Sequence, residues 1–197
     1  LHRLIRRQRQ MCIRDRAATD QHENARVEGL NPADQVPGLI VLRYPVETTS
    51  ETGFDQYNTV PMTMILLNDR VITITHDPLQ AFDDLAQQKL SPKPEEFALE
   101  VLWLVLHQFV IAMDKLNDET KQIERSLGKA AKNTQLYQLM AMQKGLVFFD
   151  AALDHSGTLL KALRDGERFF NTNGYLRRLH DVEVEAVSYT HLTLPTN

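Results

Sequence analysis

Histidine is the side chain best suited to hold a metal or move a proton near neutral pH. Four histidines stand in the regular stretches of this chain: His76, His107, His155 and His180. Their spacing gives them little to do together. His76, in "HDP", has no second ligand at metal-binding distance in sequence and reads as a capping or surface residue. His107 flanks the apolar positions Leu106 and Phe109, and His155 and His180 fall on different helical segments. The single cysteine, Cys12, excludes an internal disulfide and suits a reducing compartment. It lies in an arginine-rich arm that offers no catalytic partner. The dinucleotide-binding GxGxxG pattern, the P-loop signature, HExxH and GxSxG are all absent. The chain reads as no enzyme, with no small-molecule substrate.

Carboxylates are the remaining chemistry. The 197 residues carry 26 acids against 22 Lys and Arg, a net charge of −4. That balance points away from nucleic acid. The charge is unevenly spread. Residues 1–16 hold six arginines against Asp15, a net +5, and the last 11 residues hold no Lys, Arg, Asp or Glu. "MCIRDR" and "VSYTHLTLPTN" resemble translated sequencing-adapter DNA, so residues 1–16 and 187–197 are expected to be non-native read-through outside the fold. What remains carries −4 − 5 = −9. So acidic a body suits a cationic partner.

Something must position those acids. "GLIVLRYPVE" (38–47) is a short apolar, β-branched run and reads as a strand. Two further apolar runs flank "NDR" (68–70), which predicts a hairpin, with Val71–Thr75 as its second strand. Pro61 places the first of these runs at a sheet edge or a bulge. Asp77 before Pro78 is an N-cap signal for a short amphipathic helix ending near Leu90. "SPKP" (91–94) then breaks the chain. Beyond it, Leu99, Leu102, Leu106, Phe109, Met113, Leu116, Ile123 and Leu127, with Thr120 in the one gap, keep a heptad seam. A second seam carries Leu139, Leu146, Leu153 and Leu160, with Met142, Phe149, Ser156 and Leu163 between them. Two helices of about 30 residues, each ~45 Å long, predict an antiparallel hairpin. "GERFFNTNG" breaks it, and a third helix starts at Tyr175. The longest apolar stretch, Val101–Met113, has 13 residues and is interrupted by His107 and Gln108, short of the ~20 that a bilayer needs. The fold class is thus α+β. A small, incomplete α/β sheet domain (17–90) precedes a coiled-coil hairpin of long helices (95–165) and the start of a stalk helix (175–186).

"DQHENARVE" (20–28), "YNTVPMTMILLNDRVITIT", "EVLWLVLHQFVIAMDKLNDETKQIERSL", "LMAMQKGLVFFDAALDHSGTLLKAL" and "LHDVEVEA" stand in an order and spacing that resembles the CorA-like magnesium transport proteins, over roughly residues 18–186. The resemblance implies a cytosolic α/β domain, a layer of long helices, and a stalk helix that runs on into the first of two membrane spans. It also implies a homopentamer around an ion path for Mg²⁺, and for Co²⁺ or other divalent cations. The full-length protein would sit in the cell membrane, with this portion on the cytoplasmic side. The family's pore-entrance Gly-Met-Asn motif is absent here, which implies a regulatory portion cut before the membrane spans. Regulatory ions would sit between subunits, and the resemblance puts the candidate ligands at Asp83 and Asp84, on the short helix, and at Asp181, on the stalk. It aligns Arg178 with an acidic family position, where a guanidinium would stand in for an ion. The alternative is a soluble coiled-coil adaptor that binds a partner helix through its seams.

Overall fold

The structure, a computed structural model, describes residues 23–33, 36–51, 53–76, 78–79, 81–82, 85, 93–127 and 133–190, with the side chains of 126–127 and 185–190 left aside. Four strands form one antiparallel sheet in the order β1 (Arg26–Glu28), β2 (Gly38–Thr49), β3 (Asp55–Leu66), β4 (Val71–Thr75). The long β2–β3 ladder runs from Gly38↔Leu66 to Thr49↔Asp55. Its turn closes with Ser50 N donating to Phe54 O at 2.7 Å, and Gly53 takes φ +81°, a conformation that favours glycine. The expected hairpin at Asn68–Arg70 is present, closed by Leu67 N donating to Arg70 O at 2.9 Å. Pro61 lies in an inner strand. However, β4 ends opposite Met62, one residue short of Pro61, so the missing N–H disturbs no β3–β4 pair.

The run "LIVL" is buried on both faces of the sheet. Ile40 and Leu42 pair with Met64 and Met62 and enter the main core, whereas Leu39, Val41 and Ile65 form a small second cluster on the other side.

Three helices follow: α1 (Pro94–Leu127), α2 (Asn133–Asp165) and α3 (Asn173–Thr190). Proline at the first position of α1 needs no N–H partner, Glu95 and Glu96 favour the positive end of the helix dipole, and Arg125 the negative end. Only five residues join α1 to α2, so the two run antiparallel. Phe109 and Phe149, each about midway along its helix, meet edge-to-face at 5.2 Å. Every apolar member of the first seam from Leu99 to Ile123 is buried. So are Ala98, Val101, Val105 and Ala112. A stripe that wide exceeds a two-helix seam, because α1 also packs on the sheet and on α3. The second helix lies along β3, where a Cβ added at Gly145 would come within 3.1 Å of the Tyr57 side chain. Phe149 edges onto Tyr57 at 5.4 Å, joining sheet, α1 and α2 in one core.

By length and composition α1 could cross a bilayer, but more than half of that stretch is buried within the fold, as befits a core helix. Of the short helix expected over 78–90, the described Ala81, Phe82 and Leu85 are helical, and the rest lies outside the described residues.

Between α2 and α3, the residues Phe169 and Phe170 are buried. Thr172 caps α3, its Oγ1 accepting from Tyr175 N at 3.4 Å. Leu179 and Val182 seat α3 in the main core. The ammonium of Lys93 has a raised pKa, mainly because it donates to Glu96 and to a lesser degree because Tyr175 stands nearby. Seven residues join α2 to α3, which packs on both helices of the hairpin, so α3 turns back along α2 and runs parallel to α1.

Candidate metal centre

The amphipathic pattern of α3 sets where Asp181 points. Leu179 and Val182 face inward, so Asp181 between them is exposed, as are Arg177, Arg178 and His180. The next acid, Glu183, is half-buried and already engaged: Arg164 Nη1, at the end of α2, donates to its Oε2 at 2.6 Å. His180 Nδ1 stands 3.9 Å from the same oxygen. That ion pair ties α3 to α2 and leaves Asp181 as the outward carboxylate among the described side chains of α3. Asp83 and Asp84 lie outside the described residues. Among the described residues, no group of three or more His, Cys, Asp or Glu side chains could hold a metal ion. An ion held at Asp181 would therefore need ligands from beyond the described residues of one copy.

The histidines are dispersed. His107 stacks on Trp103 with ring centres 4.7 Å apart and planes 10° apart. His155 Nδ1 contacts the Ala151 carbonyl at 2.5 Å on its own helix.

Sequence reasoning missed one charged cluster. Lys115 Nζ, on α1, donates to both carboxylate oxygens of Glu47, on β2, at 2.6 and 2.8 Å. That contact raises the Lys115 pKa above its ordinary value. Glu119, one turn on, is held above the ordinary carboxylate value chiefly by burial. The Lys115 charge opposes that shift, while the negative charges of Glu47 and Asp55 add to it. The resident ammonium already occupies the place a cation would take. Glu47 and Lys115 are 68 positions apart, and only the fold brings them together.

A cavity of about 680 Å³ opens between the β2–β3 hairpin and α2. Arg43, Asn58, Phe148 and His155 are among the side chains that line it. The Arg43 guanidinium is spent on protein: Nε donates to Thr59 Oγ1 at 2.7 Å, Nη1 to Glu23 O at 2.8 Å, and Nη2 to Thr59 O. Burial lowers its pKa. It works as a clamp that holds the segment before β1 onto the hairpin.

A four-stranded antiparallel sheet carrying a long helical hairpin, with a third helix parallel to the first, defines an α+β head. This is the fold of the soluble domain of CorA from Methanocaldococcus jannaschii, with a TM-score of 0.77 at 18% identity over 90% of this chain and 70% of that one. In sequence, the model of the family described as CorA-like Mg²⁺ transporter protein matches residues 11–194. The chain belongs to that family. The complete CorA magnesium transporter from Methanocaldococcus jannaschii is similar as well (TM-score 0.71, 18% identity), over 88% of this chain and 56% of that one, so this chain spans little more than half its length. The ZntB cytoplasmic domain from Vibrio parahaemolyticus RIMD 2210633 follows, with a TM-score of 0.62 at 10% identity over 90% of this chain and 72% of that one. No curated protein matches significantly in sequence.

Proposed function

We propose that this chain is the ion-sensing, cytoplasm-facing portion of a divalent-cation transport protein that carries Mg²⁺ and works as a homopentamer. The observation that carries this reading is the family match over residues 11–194. The course of α3 supports it. This helix leaves the head parallel to the hairpin and presents Asp181 outward.

In this reading α3 is the root of the stalk that continues into the membrane. Asp83 and Asp84 of one subunit and Asp181 of its neighbour would share a partly hydrated Mg²⁺, a small hard cation that prefers oxygen ligands and gives up water reluctantly. Arg178, exposed one turn before Asp181, supplies a fixed positive charge on the same surface. Each subunit brings an acidic surface, −9 over residues 17–186, so subunits repel as they approach. Bound cations offset that repulsion and favour a symmetric closed state, and their loss releases it. Among the described residues no single-chain cluster competes with such a shared site.

The source genome tests the reading. Downstream of the Ala186 codon the frame should encode two apolar stretches of ~20 residues each. A stop codon, or a polar continuation, would leave the helical adaptor as the better account.

A further inference from the structure

The first two turns of α2 expose three large apolar side chains on one side: Leu136 (59% exposed), Tyr137 (49%) and Met140 (56%). The other side of these turns carries Leu139 and Met142, which pack into the core. Among the described side chains, the adjoining end of α1 exposes Lys121, Gln122, Glu124 and Arg125, all polar or charged. Contiguous exposed apolar surface of this kind marks an interaction site.

Direction and reach select the partner. The helices α1 and α3 run parallel, with α3 packed on the hairpin. At 1.5 Å per residue the 34 residues of α1 extend ~51 Å and the 18 of α3 extend ~27 Å. The hairpin is therefore ~24 Å longer than α3 and its tip points the way α3 is heading. Resting on the reading of α3 as the root of a membrane-entering helix, we propose that the tip of the α1–α2 hairpin docks on the lipid surface through Leu136, Tyr137 and Met140. A ring of subunits about an axis along α3 brings all the tips to one end, facing the same way. Tyrosine suits the headgroup layer, with an apolar ring and a hydroxyl that keeps its water. On α1 near the tip, exposed Lys121 and Arg125 balance Asp118 and Glu124, while the connecting residues 128–132 add Lys129 and Lys132, so apolar insertion should be strengthened by anionic lipid.

The test uses the full chain with Cys12→Ser and Thr134→Cys, the new thiol carrying a polarity-sensitive dye. It is mixed with phosphatidylcholine vesicles, and separately with vesicles that also contain phosphatidylglycerol. The dye should shift to the blue and the chain should float with both kinds of vesicle. Leu136→Ser and Met140→Ser should each weaken partitioning about tenfold and leave the circular dichroism melt unchanged. Val147→Ser is the control: equally exposed but ~21 Å along α2 from its start, it should change nothing. The proposal is overturned by absence of flotation, by partitioning that survives the tip substitutions, or by sedimentation showing that Leu136 and Met140 instead hold two copies together. If docking fails while two apolar stretches follow Ala186, the transport reading stands and only the lipid contact is lost. If docking holds and those stretches are missing, the transport reading falls.

Discussion

Replacing Phe149 with alanine probes whether sheet and helical hairpin share one core. Phe149 is 1% exposed and touches Tyr57 of β3 and Phe109 of α1, both edge-to-face. Phe→Ala in a packed core costs about 3–5 kcal/mol. Loss of two aromatic pairs, each worth ~0.5–1.5 kcal/mol, puts this site towards the top of that range, at ~4 kcal/mol. For a chain of this size each kcal/mol lowers Tm by ~2–4 °C, so the melt should fall by ~8–16 °C. The neighbouring Phe148 is half-buried in the cavity wall and meets none of these rings. Its truncation should cost about 1 kcal/mol, or ~2–4 °C. Far-UV circular dichroism of the two variants and the parent chain measures both shifts. Equal shifts, or a Phe149→Ala loss under about 1 kcal/mol, would refute a single core that spans β3, α1 and α2.

Two further perturbations follow from the same contacts. Glu119 has a raised folded pKa, so the native state holds its proton more tightly than the unfolded chain does, and stability falls as pH rises from the ordinary value of 4.5 through the folded one. Glu119→Gln should therefore stabilise the chain at neutral pH and lose that advantage below pH 4.5, as urea titrations at several pH values would show. Gly38 is fixed by space: an added Cβ would stand 2.6 Å from the Phe169 ring. Gly38→Ala should cost about 1–3 kcal/mol, and Phe169→Leu should recover part of it. A Gly38→Ala melt equal to the parent would contradict that close approach.

The periodic parts of the fold were legible from residue order because burial imposes the period. Leu99 to Ile123 on α1, and Met142, Phe149, Ser156 and Leu163 on α2, are buried at the positions their seven-residue spacing requires. The β3–β4 turn showed itself through "NDR" between two apolar runs. The exposure of Asp181 follows from Leu179 and Val182 on either side of it. What heptad spacing hides is the number of surfaces a helix meets. The breadth of the α1 stripe comes from its packing on sheet and α3 together, and the seam alone suggested a two-helix partnership. Lys115 with Glu47, and Gly145 against Tyr57, depend on the register of α1 and α2 over the sheet, which no local pattern encodes. A shared ion site is further removed still. Its ligands belong to separate subunits, so neither the order of residues in one chain nor the packing of one copy assembles them.

The most direct measurement of the sensing claim is the thermal melt and sedimentation of the 197-residue chain in Mg²⁺ and in chelator, beside Asp181→Asn. A cation that binds only the folded, assembled state stabilises it by ~2.7 kcal/mol at a hundred times its Kd, which is ~5–11 °C for a chain of this size. The account predicts a shift of that order together with a larger sedimentation coefficient in Mg²⁺, both reduced in Asp181→Asn. Identical melts and identical sedimentation in Mg²⁺, Ca²⁺, Co²⁺ and chelator would contradict it.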